Sequence, residues 1–218
     1  MINRELEPEL MDDPTEAQAY DDMDHSGVNS QFVADLLAAG NLGEDILDLG
    51  TGTARIPIEL CRQYENCRVL ASDAAVHMLE VAKINVAIEG FEHRIQLHHG
   101  DSKGLLFEDE TFDCVMSNSL IHHLPEPALA MAEMVRVLRK GGRLFVRDLM
   151  RPSSDEEVER LVEIYSGNET DECQQLFRQS LKAALTVAEF EELTSKLDVE
   201  SSEVAASSDR HVTWTCVK

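Results

Sequence analysis

The segment ILDLGTGTARIPIEL, residues 46–60, joins an acidic residue to two closely spaced glycines. Asp48 ends an apolar run typical of a buried strand, and Gly50 and Gly52 permit a tight turn whose backbone can approach a ligand closely. Pro57 is tolerated in a first helical turn, so a helix is predicted to begin directly after the loop. The unpaired amides of that turn would face a ligand above the strand end. The segment therefore predicts a loop that binds a cofactor.

Two kinds of cofactor use such a loop. The dinucleotide fingerprint requires glycines at its first, third and sixth positions, but the sixth position counted from Gly50 is Arg55. The arrangement Asp48-x-Gly50-x-Gly52 instead resembles motif I of the class I methyltransferases, which use S-adenosylmethionine. Ala54 stands where that family often has a third glycine, and we expect it to crowd the loop slightly beside the cofactor. An ordinary turn in some other α/β protein is the plainer alternative.

Further segments follow in the order that this resemblance implies, over roughly residues 45–150. Asp73 closes the next strand, where a carboxylate is expected to accept both ribose hydroxyls. Met78, one helical turn later, is expected to lie against the purine face or else in the core. Asp101 in GDSKGL corresponds to an acid that holds the adenine amino group, and Asn118 in SNSLIHHL lies near the methionyl part. The resemblance extends the cofactor site to their neighbours Thr51, Ala74, Ser102 and Ser119.

Histidines near these motifs are candidates for acid–base chemistry. His122 and His123 are expected at the mouth of the pocket, where one could act as a general base. The alternative is that the pair caps the following helix, with one ring packed and the other solvated. Asp148, which follows the fifth predicted strand on the acceptor side, is a further catalytic candidate. The pair at 98–99 has no carboxylate or cysteine partner at ligand spacing, so no metal site is predicted.

Two regions outside these motifs carry candidates for the rest of the site. In AYDDMDHSGVN, Tyr20, Asp24 and His25 are candidates for a lid, because related small-molecule methyltransferases often fold an N-terminal helix over the cofactor, with a tyrosine reaching its carboxylate. A solvated tail is the alternative. Arg147 and Arg151 lie near the acceptor side, where they could clamp an anionic substrate or simply neutralise neighbouring acids.

The elements that position these residues follow from the hydrophobic pattern. Short apolar runs alternate with amphipathic stretches over residues 46–149, which indicates βα units and a parallel sheet. Three helical candidates within 153–197 and two strand-like stretches at about 197–204 and 211–217 come next. With the family fold, this predicts an α/β, doubly wound, mostly parallel seven-stranded sheet with a terminal antiparallel hairpin. Residues 1–30 are expected to form an arm or lid, and 31–218 a methyltransferase domain with a helical cap inserted at about 151–197.

Bulk properties restrict the partners. The chain of 218 residues carries a formal net charge of −23, and such a surface repels the phosphates of nucleic acids and anionic membranes. No apolar run approaches the roughly 20 residues that span a bilayer, and the acidic N-terminal segment lacks the apolar region of a signal peptide. The five cysteines show no metal or disulfide spacing. We therefore expect a cytoplasmic protein with reduced thiols, no nucleic acid partner and no membrane partner.

Together these patterns predict an S-adenosylmethionine-dependent methyltransferase that transfers a methyl group in line to a small-molecule acceptor. In-line transfer needs mainly orientation and exclusion of water, so no obligatory catalytic residue is expected to identify the acceptor. Two alternatives from other classes stay open. One is a non-catalytic regulatory protein that binds S-adenosylmethionine, and the other is a nicotinamide-dependent oxidoreductase, which Arg55 disfavours.

Overall fold

The computed structural model of the protein describes residues 2–9, 12–23 and 25–218. The strands are β1 (Asp45–Leu49), β2 (Arg68–Asp73), β3 (Ile95–His99), β4 (Phe112–Asn118), β5 (Leu138–Leu149), β6 (Ser201–Ala206) and β7 (His211–Val217). The α-helices are α1 (Pro14–Asp22), α2 (Ser26–Ala38), α3 (Arg55–Gln63), α4 (Val76–Glu89), α5 (Pro127–Val137), α6 (Asp155–Ser166), α7 (Asp171–Ala183) and α8 (Val187–Thr194). A short 3-10 turn spans Ile121–His123.

The described strands form one seven-stranded sheet in the order β3-β2-β1-β4-β5-β7-β6. The first five strands are mutually parallel, whereas β7 lies antiparallel between β5 and β6. This confirms the predicted mostly parallel sheet with a terminal antiparallel hairpin. Strand order reverses at β1, which pairs with β2 on one side and β4 on the other. A crevice at the carboxyl ends of strands follows from such a reversal.

Helices cover both faces of the sheet, as the doubly wound prediction requires. One apolar layer packs α2, α3 and α4 on the sheet and includes the buried Phe32, Ile58 and Met116. The opposite layer packs α5 and α8 and includes Phe190 and Trp214, both fully buried. The site at the strand ends therefore rests on a sheet that is held from both sides.

The observed element bounds differ from the expected ones mainly at β5 and β6. Strand β5 begins at Leu138 rather than Arg143, and its register with β4 shifts between the Phe112 and Cys114 pairs. The shift occurs near Gly141 and Gly142, within β5. A Cβ at Gly142 would lie 2.8 Å from two carbonyl oxygens, so the close approach of the backbone there requires glycine. Strand β6 begins at Ser201, so the polar turn after α8 is longer than the pattern predicted.

Helix α2 is part of the packed domain. Phe32, Val33 and Leu36 lie on one helical face and are almost completely buried in the layer that also contains α3 and α4. Residue 30, the expected end of the arm, lies inside this helix. The three helices expected as a cap are present as α6, α7 and α8, and α6 and α7 pack together over Leu149. Among the described residues, no helix has both the length and the apolar character needed to cross a bilayer.

The packing of α2 predicts unequal effects of two truncations on the same helix. Leu36 is 0% exposed and Val28 is 45% exposed. We expect Leu36→Ala to lower the free energy of unfolding by roughly 2–5 kcal/mol, because it leaves a buried cavity. Val28→Ala, the matched control, should change it by less than about 0.5 kcal/mol. Equilibrium urea unfolding measures both, and similar values for the two variants would contradict the assignment of α2 to the core.

Candidate active site

A large cavity opens where the carboxyl ends of β1, β2, β4 and β5 meet. Its volume is about 1590 Å³, which exceeds the roughly 300–1,000 Å³ of a usual ligand pocket. The loops after these strands form its floor, α1 and α2 cover one side, and α6, α7 and the β6–β7 turn close the other. The cavity is therefore large enough for a cofactor together with a second molecule.

The glycine loop after β1 is tied to the end of β2 by backbone hydrogen bonds. The amides of Gly50 and Thr51 donate to the Ser72 carbonyl at 2.9 and 3.0 Å. Gly50 and Gly52 have φ angles of 73° and 54°, in the left-handed region that favours glycine. A Cβ at Gly50 would lie 3.0 Å from the Leu120 side chain. Both predicted glycines are thus required by conformation, and the loop forms part of the cavity floor.

Ala54 differs from the sequence-based expectation. It adopts a left-handed backbone with φ 61° and is the residue that precedes α3. Its methyl group is fully buried in the apolar layer of α2, α3 and α4, and Ala54 is not part of the cavity wall. The missing glycine therefore does not crowd the cofactor side of the loop, because the extra carbon points into the core.

Arg55, which breaks the dinucleotide pattern, holds helix α1 against the loop. Its guanidinium makes two hydrogen bonds to the Asp21 carboxylate, at 2.8 and 2.6 Å. Asn85 Nδ2 donates to the same carboxylate at 2.9 Å and to the Thr53 carbonyl at 3.0 Å. Sequence reasoning missed Asp21, because it lies in an acidic run, AYDDMD, without periodicity. The cluster fixes the end of α1 beside the glycine loop.

The aromatic residues of this arm face the cavity. Tyr20 lies above the loop, where a Cβ at Gly52 would be 3.8 Å from its ring, and the Tyr20 and His25 rings are 5.0 Å apart. Both residues belong to the cavity wall, and their role in a lid stays a prediction. Asp24, the third lid candidate, lies outside the described residues.

Asp73 connects the ends of β1 and β2. Its two carboxylate oxygens accept the amides of Gly52 at 2.7 Å and Ala75 at 2.9 Å. Burial raises the pKa of Asp73 above its ordinary value, although these amides act in the opposite direction. A carboxylate has about four acceptor positions, so two remain for hydroxyl donors. Met78 lies one helical turn away, 5% exposed, and packs against Ala17 and Ala75.

Asp48 is the predicted cofactor residue that does not reach the cavity. It is 2% exposed at the end of β1 and is not part of the cavity wall. Burial raises the pKa of Asp48 to about 7, and the nearby Asp73 charge adds to the effect. The role of Asp48 at the cofactor stays a prediction, with its carboxyl group buried at the end of β1.

The other predicted cofactor residues line the same cavity: Thr51, Ala74, Asp101, Ser102, Asn118 and Ser119. Asp101 accepts the Lys103 amide at 2.9 Å and lies 3.0 Å from Lys103 Nζ. Lys103 also pairs with Glu9 of the N-terminal segment. Burial alone would raise the pKa of Asp101. The contacts with Lys103 lower it by more than burial raises it, so the net shift of the pKa is downward. An ionised acceptor is therefore available at the β3 end.

His122 and Asp148 form a buried pair. His122 Nδ1 lies 2.6 Å from Asp148 Oδ1, and Asp148 Oδ2 accepts the Ile121 amide at 2.6 Å. Burial lowers the pKa of His122, but the charges of Asp148 and Glu7 raise it more strongly, so the net shift is upward. For Asp148, His122 outweighs burial and the pKa falls. Asp148 is not part of the cavity wall, and its contact with Nδ1 fixes the orientation of the His122 ring.

Glu7 completes this cluster and was not predicted. Its Oε1 lies 3.0 Å from His123 Nδ1 and 3.5 Å from His122 Nε2, and its Oε2 accepts the Ser180 hydroxyl at 3.1 Å. Burial raises the pKa of Glu7, but the two histidines and Ser180 lower it overall. Glu7 lies in an acidic segment with several glutamates, and no sequence pattern distinguishes it from the others. A contact between positions 7 and 122 depends on tertiary folding.

The two arginines predicted near the acceptor side each form an ion pair with an acidic side chain. Arg147 pairs with Asp35 at 2.7 Å, and Arg151 pairs with Glu189 at 2.7 Å. These contacts favour the interpretation that the two arginines neutralise neighbouring acids. Arg210, which the sequence analysis did not select, also lines the cavity, and its guanidinium lies 3.4 Å from the centre of the Tyr165 ring.

Comparisons with known proteins agree with this geometry. Residues 47–146 match the family model of a methyltransferase domain. Methyltransferase GfsG of Streptomyces halstedii is 33% identical over 122 residues, which are 56% of this chain and 44% of the relative. The ubiquinone/menaquinone biosynthesis C-methyltransferase UbiE of Teredinibacter turnerae is 30% identical over 127 residues, 58% of this chain and 51% of the relative. The chain thus spans about half the length of the curated relatives it matches.

Solved structures share the fold at low sequence identity. A SAM-dependent methyltransferase from Aquifex aeolicus superposes with a TM-score of 0.70 and 18% identity, covering 94% of this chain and 97% of that one. A phosphoethanolamine N-methyltransferase from Haemonchus contortus, in complex with S-adenosyl-L-methionine, gives 0.73 and 17%, covering 94% of this chain and 57% of that one. The sheet order and the cavity at its strand ends therefore define the class I methyltransferase fold.

The family match and the fold agree with each other. Residues 47–146 match a methyltransferase domain, and the chain has the class I methyltransferase fold. Both agree with the resemblance found in the sequence, which implies S-adenosylmethionine as the cofactor. The failure of the glycine pattern at Arg55 had already favoured this cofactor over a dinucleotide.

Asp48 predicts a specific pH dependence of stability. Its pKa of about 7 in the folded protein lies above the value of about 3.9 in an unfolded chain. The folded state therefore binds an extra proton between these values, and the contribution of Asp48 to stability falls as pH rises from about 4 to about 7. We expect Asp48→Asn, which cannot ionise, to gain stability relative to the wild type across this window.

Urea unfolding of the ligand-free protein at pH 5 and pH 8 tests this expectation. The difference between Asp48→Asn and the wild type should favour the variant more at pH 8 than at pH 5. Asp198→Asn removes an exposed carboxylate and should follow the wild type at both values. A constant difference between Asp48→Asn and the wild type would show that Asp48 is ionised throughout.

Proposed function

We propose that the protein transfers a methyl group from S-adenosylmethionine, in line, to a small-molecule acceptor. The observation that supports this proposal is one continuous cavity with two differently built halves. The half near Gly50, Asp73 and Met78 suits the cofactor, and the half bounded by the histidine pair, α6 and α7 suits the acceptor. A shared cavity permits the direct alignment of sulfonium and nucleophile that in-line transfer requires.

The cover over the cavity supports a reaction shielded from water. Helix α1 is held by Arg55 and Asn85 on the cofactor side. The segment of residues 2–9 crosses to the other side, where the Arg4 guanidinium donates to the Ala183 carbonyl at 2.6 Å and Glu7 contacts α7. Enclosure of this kind fits a small acceptor, because shielding the sulfonium prevents its hydrolysis.

The character of the relatives and of the surface also favours a small molecule. UbiE is named for C-methylation in ubiquinone and menaquinone biosynthesis, and the Haemonchus enzyme for methylation of phosphoethanolamine. The formal net charge of −23 opposes contact with phosphate backbones and anionic membranes. All five cysteines are free thiols in the part of the chain that the structure describes. We therefore propose a cytoplasmic enzyme without a nucleic acid or membrane partner.

The histidine pair supplies the acid–base chemistry of the proposed reaction. A hydroxyl or carbon acid acceptor must lose a proton on methylation, and His122 and His123 both line the acceptor side. Asp148 holds His122 through Nδ1, which leaves Nε2 as the position able to exchange a proton. We propose one of the two histidines as general base and Asp148 as the residue that positions it.

Cofactor binding tests the cofactor half of the proposal. Calorimetry of the full chain should detect micromolar binding of S-adenosylmethionine and S-adenosylhomocysteine but not of NAD. Asp73→Asn should weaken binding roughly 10- to 150-fold, because charge-assisted hydrogen bonds to the ribose contribute about 1.5–3 kcal/mol. Asparagine keeps one oxygen for the Gly52 amide, so the loop should stay folded. Asp198→Asn, at an exposed acid, is the matched control.

Three results would contradict the proposal in different ways. Stronger binding of NAD than of S-adenosylmethionine would reject the cofactor assignment. Unchanged affinity in Asp73→Asn would place the ribose elsewhere. Tight cofactor binding without release of S-adenosylhomocysteine across a broad metabolite panel would favour a regulatory protein over an enzyme.

The proposed lid predicts a change in hydrogen exchange on ligand binding. Lids close over bound ligands, so S-adenosylhomocysteine should increase the protection of α1 and of the helices within 151–197. Arg55→Ala should reduce the gain in α1, because it removes the bidentate contact to Asp21. Lys196→Ala, at an exposed lysine, should leave the gain unchanged. Equal exchange with and without ligand would make residues 1–30 a permanent part of the domain surface.

A further inference from the structure

Three potential metal ligands converge beside the cavity, and two of them, His122 and His123, are part of its wall. Glu7, His122 and His123 each offer one ligand atom, and these atoms all lie within 4.8 Å of one another. The side chains of His122 and Glu7 are only 3% and 7% exposed, and that of His123 is 22% exposed. The cluster is therefore a buried mixture of two imidazoles and one carboxylate, unlike the exposed acids that cover much of the surface.

The contact between Glu7 and His123 is short but is not an aligned hydrogen bond. Glu7 Oε1 and His123 Nδ1 lie 3.0 Å apart, yet both atoms are buried without a hydrogen-bond partner among the described residues. Buried polar atoms are nearly always paired, and an unpaired one calls for an explanation such as a missing ion. An oxygen and a nitrogen that lie this close without an aligned hydrogen bond are placed like two ligands of one cation.

The Asp148 contact prepares His122 for metal binding. Nδ1 of His122 lies 2.6 Å from Asp148 Oδ1, so Nε2 is the nitrogen that a metal ion would bind in place of a proton. That nitrogen lies 3.5 Å from Glu7 Oε1. Metal-binding histidines almost always donate their other ring nitrogen to a carboxylate or carbonyl, which fixes the tautomer and strengthens the ligand. Asp148 occupies this supporting position.

Distances and charges are compatible with a divalent ion. Ligands about 2.0–2.1 Å from a tetrahedral zinc ion lie roughly 3.3 Å from one another, close to the observed 3.0 and 3.5 Å. Glu7 and Asp148 supply two negative charges. The nearby Arg4 guanidinium is occupied by the carbonyls of His122 and Leu124, at 3.1 and 3.0 Å. Two imidazoles among three ligands favour zinc and similar transition metals over magnesium or calcium.

We propose that Glu7, His122 and His123 form a binding site for a divalent transition metal of the zinc type. Two histidines and a glutamate leave a fourth position free. Both histidines line the cavity on its acceptor side, so an acceptor oxygen could occupy that position. No metal site was predicted from the sequence because the 98–99 histidines have no ligand partner at local spacing, whereas Glu7 reaches His122 and His123 only through tertiary folding. Metal binding would occupy the nitrogens of the general base proposed above, so that base role applies to the metal-free protein.

Zinc titration of the full chain tests the proposal. After removal of metal with a chelator, calorimetry should show one Zn²⁺ bound per chain at micromolar or lower concentration. Glu7→Gln and His123→Ala should each weaken this event at least about 10-fold, because each removes one of three protein ligands. His93→Ala, at an exposed histidine, is the control and should bind zinc like the wild type.

Folding and cofactor binding are checked in the same samples. Glu7→Gln has nearly the same shape as the wild type, and melting without metal should confirm that both variants are folded. Zinc should raise the melting temperature of the wild type and of His93→Ala, but not that of the two ligand variants. Absence of saturable zinc binding, or equal binding by all variants, would overturn the metal site. Calorimetry with S-adenosylhomocysteine reports separately on the proposed function.

Discussion

The parallel pairing of β1 with both β2 and β4 is the constraint on which the site depends. It places the ends of three buried strands side by side and leaves their outgoing loops to diverge. The diverging loops would separate from the sheet if nothing tied them together. Asp73 makes that connection, because one carboxylate accepts an amide from the β1 loop and another from the start of α4. The Asp73 carboxylate therefore organises the cofactor side of the cavity through hydrogen bonds that are already present without a ligand.

The N-terminal segment turns an open sheet end into an enclosed space. Arg4 and Glu7 attach it to the histidine turn and to α7, whereas Asp21 attaches α1 to the glycine loop. All of these contacts are polar and connect positions far apart in sequence. A cover built from charge-assisted contacts can be exchanged for solvent at lower cost than one built from apolar packing. This suits a wall that must admit a cofactor and release its product.

The sequence predicted those features that depend on residues close together in the chain. The glycine turn, the acid at the end of β2 and the alternation of β7 depend on backbone conformation and side-chain periodicity, and the structure contains each of them. Ala54 was expected to crowd the cofactor side of the loop, but its methyl group is buried in the core. Asp48 was expected at the cofactor and is buried at the end of β1. Glu7, Asp21 and Arg210 lay beyond prediction, because single charges in polar segments acquire partners only through tertiary contacts.

Arg55 links two traits of this protein. The position decides which family of cofactors the turn resembles, and its side chain also fastens the helix above the turn. A change to glycine would complete the spacing of a dinucleotide loop and would remove the two hydrogen bonds from Arg55 that help to hold α1. One residue therefore affects both the type of loop and the attachment of α1 over the cavity. An evolutionary change of this loop toward a dinucleotide pattern would pass through a form in which α1 is held less firmly.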